Sequence, residues 1–375
     1  LQLAALSMQG NKEIQVFIQD FAGDDRHIVD YLTEEVLNRQ PEPIRNFLLQ
    51  TSILYRLSEQ LCDFVTDQNG SQKILNELDK ANLFIVPLDN KRGWFRYHHL
   101  FKDLLQQRLN QMHGDFVADL NRRASTWHRQ NGLEDEAVNH ALAAKDYGQV
   151  ALLIEEKADT IWERGEHAKF QPWLEGLPTD LVRSRPLLSI LNAETMITRW
   201  RIDTAEKSLQ IAEKVLNSGD NHSVKDALKE RDQRSNSNRQ KILGRIAANH
   251  AFIASFREDV PGIIKHANRA LELLPEQELT WRSTIAINLG DAHFIKGDLK
   301  AAYQAQIEAL DICKASGNVF VFLIANVNLA VTLRQQGQLQ QTLEICQKQI
   351  QFASDNGMSQ IIVVGWFYAI WGEVL

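Results

Sequence analysis

Three stretches toward the C-terminal end of this 375-residue chain repeat one layout of helix, tight turn and helix, and that repetition restricts the fold more than any other feature. FREDVPGIIKHANRALEL, KGDLKAAYQAQIEALDICKASGN and QGQLQQTLEICQKQIQFASDNG align when Glu258, Gly297 and Gly337 are taken as equivalent turn positions. The separations are then 39 and 40 residues. A fourth copy, WRIDTAEKSLQIAEKVLNSG, aligns on Trp200, 58 residues before Glu258, and the excess is a polar insert over about 217–240. NGLEDEAVNHALAAKD (Asn131–Asp146) and RGEHAKFQPWLEGLP (Arg164–Pro178) read as earlier, more divergent hairpins. A period near 40 with small residues at packing positions is that of a tetratricopeptide-like α-solenoid. No helix pair in such an array buries its apolar face alone, so neighbours stack and the array curves. The insert offers only Val224, Ala227 and Leu228 as apolar anchors and reads as an exposed, mobile excursion.

Ahead of the repeats the pattern changes. LFIVPLDNKRGWFRYHH (Leu83–His99) holds two alternating apolar runs around Asn90-Lys91-Arg92-Gly93, which predicts a β-hairpin. Helices are expected on either side: IRNFLLQTSIL after Pro41 and Pro43, LSEQLCDFVTD, SQKILNELDKA (Ser71–Ala81), and HLFKDLLQQRL beyond the hairpin. Helices leading into a two-stranded wing describe a winged helix. The first forty residues read as helical too, with LQLAALSMQG closed by a glycine and acidic residues opening Asp24–Gln40.

A winged helix can read DNA or serve as a hinged lid in a switch protein, and charge separates the two. A reader needs Lys and Arg on the helix before the wing. Here Lys73 and Lys80 are offset by Glu77 and Asp79, and the turn adds only Lys91 and Arg92. The whole chain carries a formal charge of −7. No direct DNA binding is expected.

The sequence contains no phosphate loop of the G-x-x-x-x-G-K-[ST] type, no G-x-S-x-G, no H-E-x-x-H and no G-x-G-x-x-G. His98-His99 lacks the carboxylate spacing of a metal site. Cys62, Cys313 and Cys346 are far apart and read as core thiols in a reducing cytoplasm. The eight tryptophans fall at helix-packing positions and read as core. No run reaches the roughly 18 apolar residues of a membrane span. The densest, Ile361–Gly372, reads as a buried helix whose outer face a further repeat or self-association would cover. With Leu1 in place of a methionine and this apolar run at the other end, both ends look cut.

FAGDDRHIVDYLTEEVLNRQPEPIRNFLLQTSIL (Phe21–Leu54) resembles the segment that follows the nucleotide-binding domain in MalT-like, LuxR-type transcriptional activators. So do ANLFIVPLDNKRGWFRYHHLFKDLLQQRL (Ala81–Leu109), NGLEDEAVNHALAAKD and WLEGLPTDLVRSRPLLS (Trp173–Ser189), while LQLAALS resembles the tail of that family's GLQLAALS motif. The resemblance is specific to about Ala205 and generic beyond it, and the polar insert departs from it. It implies a signalling ATPase of the STAND class: a nucleotide-binding domain, a winged helix, a superhelical sensor and a C-terminal helix-turn-helix. In such proteins inducer and ATP open the molecule, which then self-associates on promoters. This chain would hold only the winged helix and the sensor, with ATP or ADP bound in the full-length protein and no cofactor here. STAND winged helices also carry a Met-His-Asp-Leu motif whose histidine contacts the terminal phosphate of ADP. Tyr97-His98-His99-Leu100 occupies that place, so His98 is the matching residue, with Tyr97 and His99 as departures. A histidine that simply closes a hydrogen bond of the wing would suit the same position.

The expectation is therefore a mainly α protein: a helical linker over 1–39, a winged-helix domain with a small β-hairpin over 40–112, and a tetratricopeptide-like repeat sensor over 113–375. Its expected role is that of a non-enzymatic, cytoplasmic regulatory fragment. A small-molecule inducer or regulatory protein would bind the concave face, on polar and aromatic residues within about Trp200–Leu375. The alternative is a constitutive scaffold of helical repeats.

Overall fold

The computed structural model describes residues 36–81, 83–164, 166–218 and 232–375, so the helices expected in the first 35 residues lie outside it. The chain divides into two compact units, 1–153 and 154–375.

In the first unit, α1 (Glu42–Thr51) starts on Pro41 and carries a second proline in its first turn, where fixed φ and a missing N–H do no harm. α2 (Glu59–Thr66) is capped by Ser58, whose hydroxyl accepts from the Leu61 N–H. The carboxylate of Asp63 accepts from the Ser71 N–H at 2.9 Å and so tethers the start of α3 (Ser71–Lys80) to α2. The wing follows as β1 (Ile85–Pro87) and β2 (Phe95–Tyr97), antiparallel, with Ile85 opposite Tyr97 and Pro87 opposite Phe95. Its turn closes on Asp89, which accepts from the N–H groups of Gly93 and Trp94. The left-handed position is taken by Arg92 (φ +54) rather than by Gly93. Arg92 also pairs with Asp79 of α3 at 3.0 Å, so part of the little positive charge near the wing is spent inside the fold.

α4 (His99–Gln130) then runs for 32 residues without a break. The expected division at Met112 lies within this continuous helix. One apolar core extends along it, from Phe47, Leu61 and Phe95 through Phe101 and Leu105 to Leu120, Ala124 and Trp127. A turn through Gly132 leads to α5 (Glu134–Ala143), and Lys145, also left-handed, leads to α6 (Tyr147–Glu163).

The second unit continues through a 3-10 turn (His167–Lys169) and two six-residue helices, α7 (Phe170–Glu175) and α8 (Thr179–Ser184). The hairpin expected over Arg164–Pro178 is thus shortened to a turn and one brief helix. Four full hairpins follow: α9 (Pro186–Thr198) with α10 (Ile202–Ser218), α11 (Asp232–Phe256) with α12 (Val260–Leu273), α13 (Leu279–Ile295) with α14 (Leu299–Ser316), and α15 (Val319–Gln335) with α16 (Leu339–Asp355). α17 (Ile362–Val374) packs as a further first helix. The stretch expected as an insert is helical at its edges, up to Ser218 and from Asp232.

The four turn positions aligned on sequence all adopt left-handed backbone, with φ +60 at Trp200, +54 at Glu258, +80 at Gly297 and +76 at Gly337. Glycine takes this conformation freely, whereas a side chain there costs roughly 1 kcal/mol. Asp259 and Asp298, each directly after its turn, accept from the N–H groups of Gly262 and Ala301 and cap the second helices. Second helices bury small residues (Ala205 and Ala212, Ala267 and Ala270, Ala302 and Ala309), which lets neighbours approach closely. Apolar clusters join each hairpin to the next: Ile190 with Leu209 and Ile246, Ala248 with Ala267 and Trp281, Ile287 with Leu310 and Val321, and Leu323 with Cys346 and Phe367. This is the nearest-neighbour core of a solenoid. No described helix is long and apolar enough to cross a membrane.

Candidate functional site: an aromatic cleft on the repeats

The first helices of successive hairpins line one cleft in the second unit. α9 contributes Glu194, Ile197 and Thr198; α11 contributes Asn249, Phe252 and Phe256; α13 contributes Trp281, Thr284 and Ile287. Phe320, Val321 and Ile324 come from α15, and Trp366 from α17. Trp162 of α6, Trp200 of the first turn and Ile362 of α17 complete the wall. The space left between these side chains is narrow, about 80 Å³, and opens to solvent at one side. Four of the eight tryptophans line it, so the reading of all eight as core is incomplete.

The rings are ordered against one another. Trp162 stacks on Trp281 at 5.3 Å and 19°. At the opposite side, Trp200 meets Phe256 edge-on at 4.8 Å and Trp366 at 6.2 Å. Trp200 is 55% exposed despite these contacts. Its left-handed backbone therefore sets an indole at the mouth of the cleft, held by ring contacts on two sides.

Beneath the rings lies an ion cluster. Arg245 donates to both carboxylate oxygens of Glu194, from Nε at 2.8 Å and from Nη2 at 2.6 Å, and also to Asp159 at 3.2 Å. Its guanidinium lies 4.5 Å from the centre of the Trp281 ring. The side chains of Arg245 and Glu194 are only 2% and 1% exposed. Asn249 donates a further hydrogen bond to Glu194. Lys241 extends the network to Asp159 and Glu278, at 2.8 and 3.0 Å.

One turn along α13 from Ile287 stands a second polar group that the sequence reading missed. Asp291 accepts from Ser255 of α11 at 2.7 Å and from Asn328 of α15 at 2.6 Å. Burial pushes its carboxyl up to about 7, against the two hydrogen bonds that favour the ionised form. Between the ordinary carboxylate range and about 7, the folded chain therefore holds a proton that the unfolded chain releases. The stability contributed by this group is present at low pH and lost as pH rises toward 7. Urea unfolding from roughly pH 5 to pH 8 should show the native chain losing stability relative to Asp291→Asn. Parallel pH profiles would disprove the assignment.

His98, the residue singled out on sequence, is in the other unit. It occupies the N-cap of α4, and its backbone N–H donates to the Phe84 carbonyl at 2.7 Å, closing the base of the wing. Its Nδ1 is enclosed and has no hydrogen-bond partner. The ring lies 4.4 Å from that of the exposed His99. Burial, together with His99 and Arg96, holds the imidazole below its ordinary pKa, so it is neutral near pH 7. Among the described residues no cluster of His, Cys, Asp and Glu could hold a metal ion. Cys62, Cys313 and Cys346 are buried free thiols.

A winged helix followed by stacked helix pairs defines a winged-helix-plus-repeat protein. Residues 33–117 match the profile of the MalT winged helix domain and residues 244–375 that of the MalT-like TPR region. The HTH-type transcriptional regulator MalT of Yersinia pestis is 27% identical over 377 aligned positions, which take in 100% of this chain and 40% of that protein. Serine/threonine-protein kinase PknK of Mycobacterium tuberculosis is 32% identical over 216 positions, 58% of this chain and 20% of the kinase. This chain thus spans less than half the length of either relative. The fold is similar to that of the Signal Transduction ATPase with Numerous Domains (STAND) protein with a tetratricopeptide repeat sensor from Pyrococcus horikoshii, with TM-score 0.60 and 13% identity, covering 99% of this chain and 55% of that one. The chain is MalT-like, with the winged-helix-plus-repeat fold of a STAND protein.

Proposed function

We propose that this chain is the regulatory portion of a MalT-like, cytoplasmic transcriptional activator, in which the repeat array senses an effector and the winged helix is the lid of a nucleotide switch. The aromatic cleft carries this reading: its wall is almost wholly apolar and aromatic, and it draws one residue or more from every first helix. An effector held there touches α9, α11, α13, α15 and α17 at once, and so favours one curvature of the array over another. ATP and ADP belong to a nucleotide-binding domain beyond this chain, and activation proceeds by self-association. The domain division carried by the proposal is 1–39, 40–112 and 113–375.

The test is amide hydrogen exchange on the chain mixed with a small-molecule extract of its source cells. Protection should appear on the five first helices. Protection confined to the winged helix, or none at all, would refute the sensor reading and leave a constitutive scaffold.

Within the lid, His98 is proposed to contact the terminal phosphate of ADP. The unpartnered Nδ1 and the N-terminal end of α4 suit an anion. In the full-length protein His98→Ala should weaken ADP binding roughly tenfold, the scale of one hydrogen bond to a charged group, and raise inducer-independent transcription. Equal ADP affinity in mutant and parent would sink this role.

A further inference from the structure

We infer that the cleft takes a flat, uncharged, largely apolar small molecule carrying an aromatic ring system, recognised by stacking rather than by a web of hydrogen bonds; this rests on the sensor reading above. Most polar atoms of the wall are already engaged within the fold. Glu194 already receives three donors, two from Arg245 and one from Asn249. The amide nitrogen of Asn249 donates a second time to the Arg245 carbonyl. The hydroxyls of Thr198 and Thr284 donate to the carbonyls of Thr195 and Thr280 in their own helices. A ligand covered with hydroxyls would give up its hydrogen bonds to water and find few replacements, and each unmatched group weakens binding.

Charge points the same way. The one carboxylate in the wall is paired with a buried guanidinium, so it offers no unpaired charge to a cation or an anion. What remains available is ring surface, with Trp200 and Trp366 at the mouth, Phe252 and Phe256 beside them and Trp162 with Trp281 deeper in, together with one unpartnered donor, the indole Nε1 of Trp162, which suits a single acceptor on the ligand. Aromatic faces and edges set against a planar ligand add attraction beyond simple area burial.

The probe for this proposal is 2-naphthol, a flat, neutral bicyclic molecule, titrated into the intact chain at neutral pH and followed by calorimetry and tryptophan fluorescence. One saturable site with quenched fluorescence is expected. Affinity should fall at least tenfold in Trp200→Gly and in Trp366→Ala. Glycine is chosen at 200 because it accepts the left-handed backbone, and unfolding midpoints measured beside the titrations separate loss of the site from loss of the fold. Absence of saturable binding, or binding untouched by both substitutions, would overturn the proposal. So would a neutral trisaccharide that occupies the cleft more tightly than naphthol. That last result would preserve the cleft as a sensor and reject only its ligand class, whereas an extract that protects no first helix rejects the sensor itself.

Discussion

Replacing Glu194 with alanine should destabilise the repeat unit by about 3–5 kcal/mol, the cost of removing one partner of a buried ion pair. The size follows from what is left behind. Arg245 would keep its charge, 2% exposed beneath the tryptophans, with the hydrogen bond to the half-exposed Asp159 and the contact with the Trp281 ring as partial compensation. Asn249 would lose an acceptor as well. The pair as a whole is a different matter. Coulomb attraction in a buried pair is largely offset by desolvation, so exchanging both partners for apolar residues of similar volume, as in Glu194→Leu with Arg245→Met, should recover most of the loss. Urea unfolding followed by tryptophan fluorescence measures both variants. A single-variant loss under about 1 kcal/mol would show that the pair is far better solvated than its burial implies.

Phe95→Ala should cost about 3–5 kcal/mol in the first unit, as for other large aromatic truncations in a packed core. Phe95 is fully buried among Phe47, Leu61 and Phe101. Its backbone also exchanges both hydrogen bonds with Leu57, at 2.9 and 2.8 Å, and so fastens the wing to the segment between α1 and α2. The cavity should therefore loosen that bridge along with the core. Faster hydrogen exchange at the Leu57 and Phe95 amides, together with the drop in unfolding free energy, is the expected signature. A destabilised core with an unaltered Leu57 amide would mean that the bridge is held from elsewhere.

The hairpins were legible in the sequence because their turns impose a local requirement. A left-handed residue followed by an aspartate cap recurs at Glu258-Asp259 and Gly297-Asp298 whatever the packing around it. The wing was legible for a similar reason, since strand alternation and a short turn are properties of neighbouring residues. The continuous course of α4 was harder to read: polar side chains around Met112 resemble a linker, while the helix is held together by core contacts at both ends, Phe101 and Trp127. The members of the cleft were not legible beyond the expectation of polar and aromatic residues within about Trp200–Leu375. Trp162, Trp200, Trp281 and Trp366 come from four separate elements and meet only when the hairpins stack. Arg245 stands 51 residues from Glu194 and 86 from Asp159, so no spacing rule could join them. Asp291 looks like any exposed helical carboxylate until Ser255 and Asn328 close over it.

The unbroken course of α4 has a mechanical consequence. At 1.5 Å per residue, 32 residues make a stiff rod about 48 Å long, with His98 at one end and Gly132 just past the other. A pivot of about 5° at the wing end, too small to disturb most local hydrogen bonds, sweeps the opposite tip through about 4 Å, and a displacement of that size exceeds what close-packed side chains absorb by relaxing in place. Short loops would dissipate such a movement within a few residues. A single long helix hands it on undiminished, and angular play at the wing becomes linear stroke at the far end.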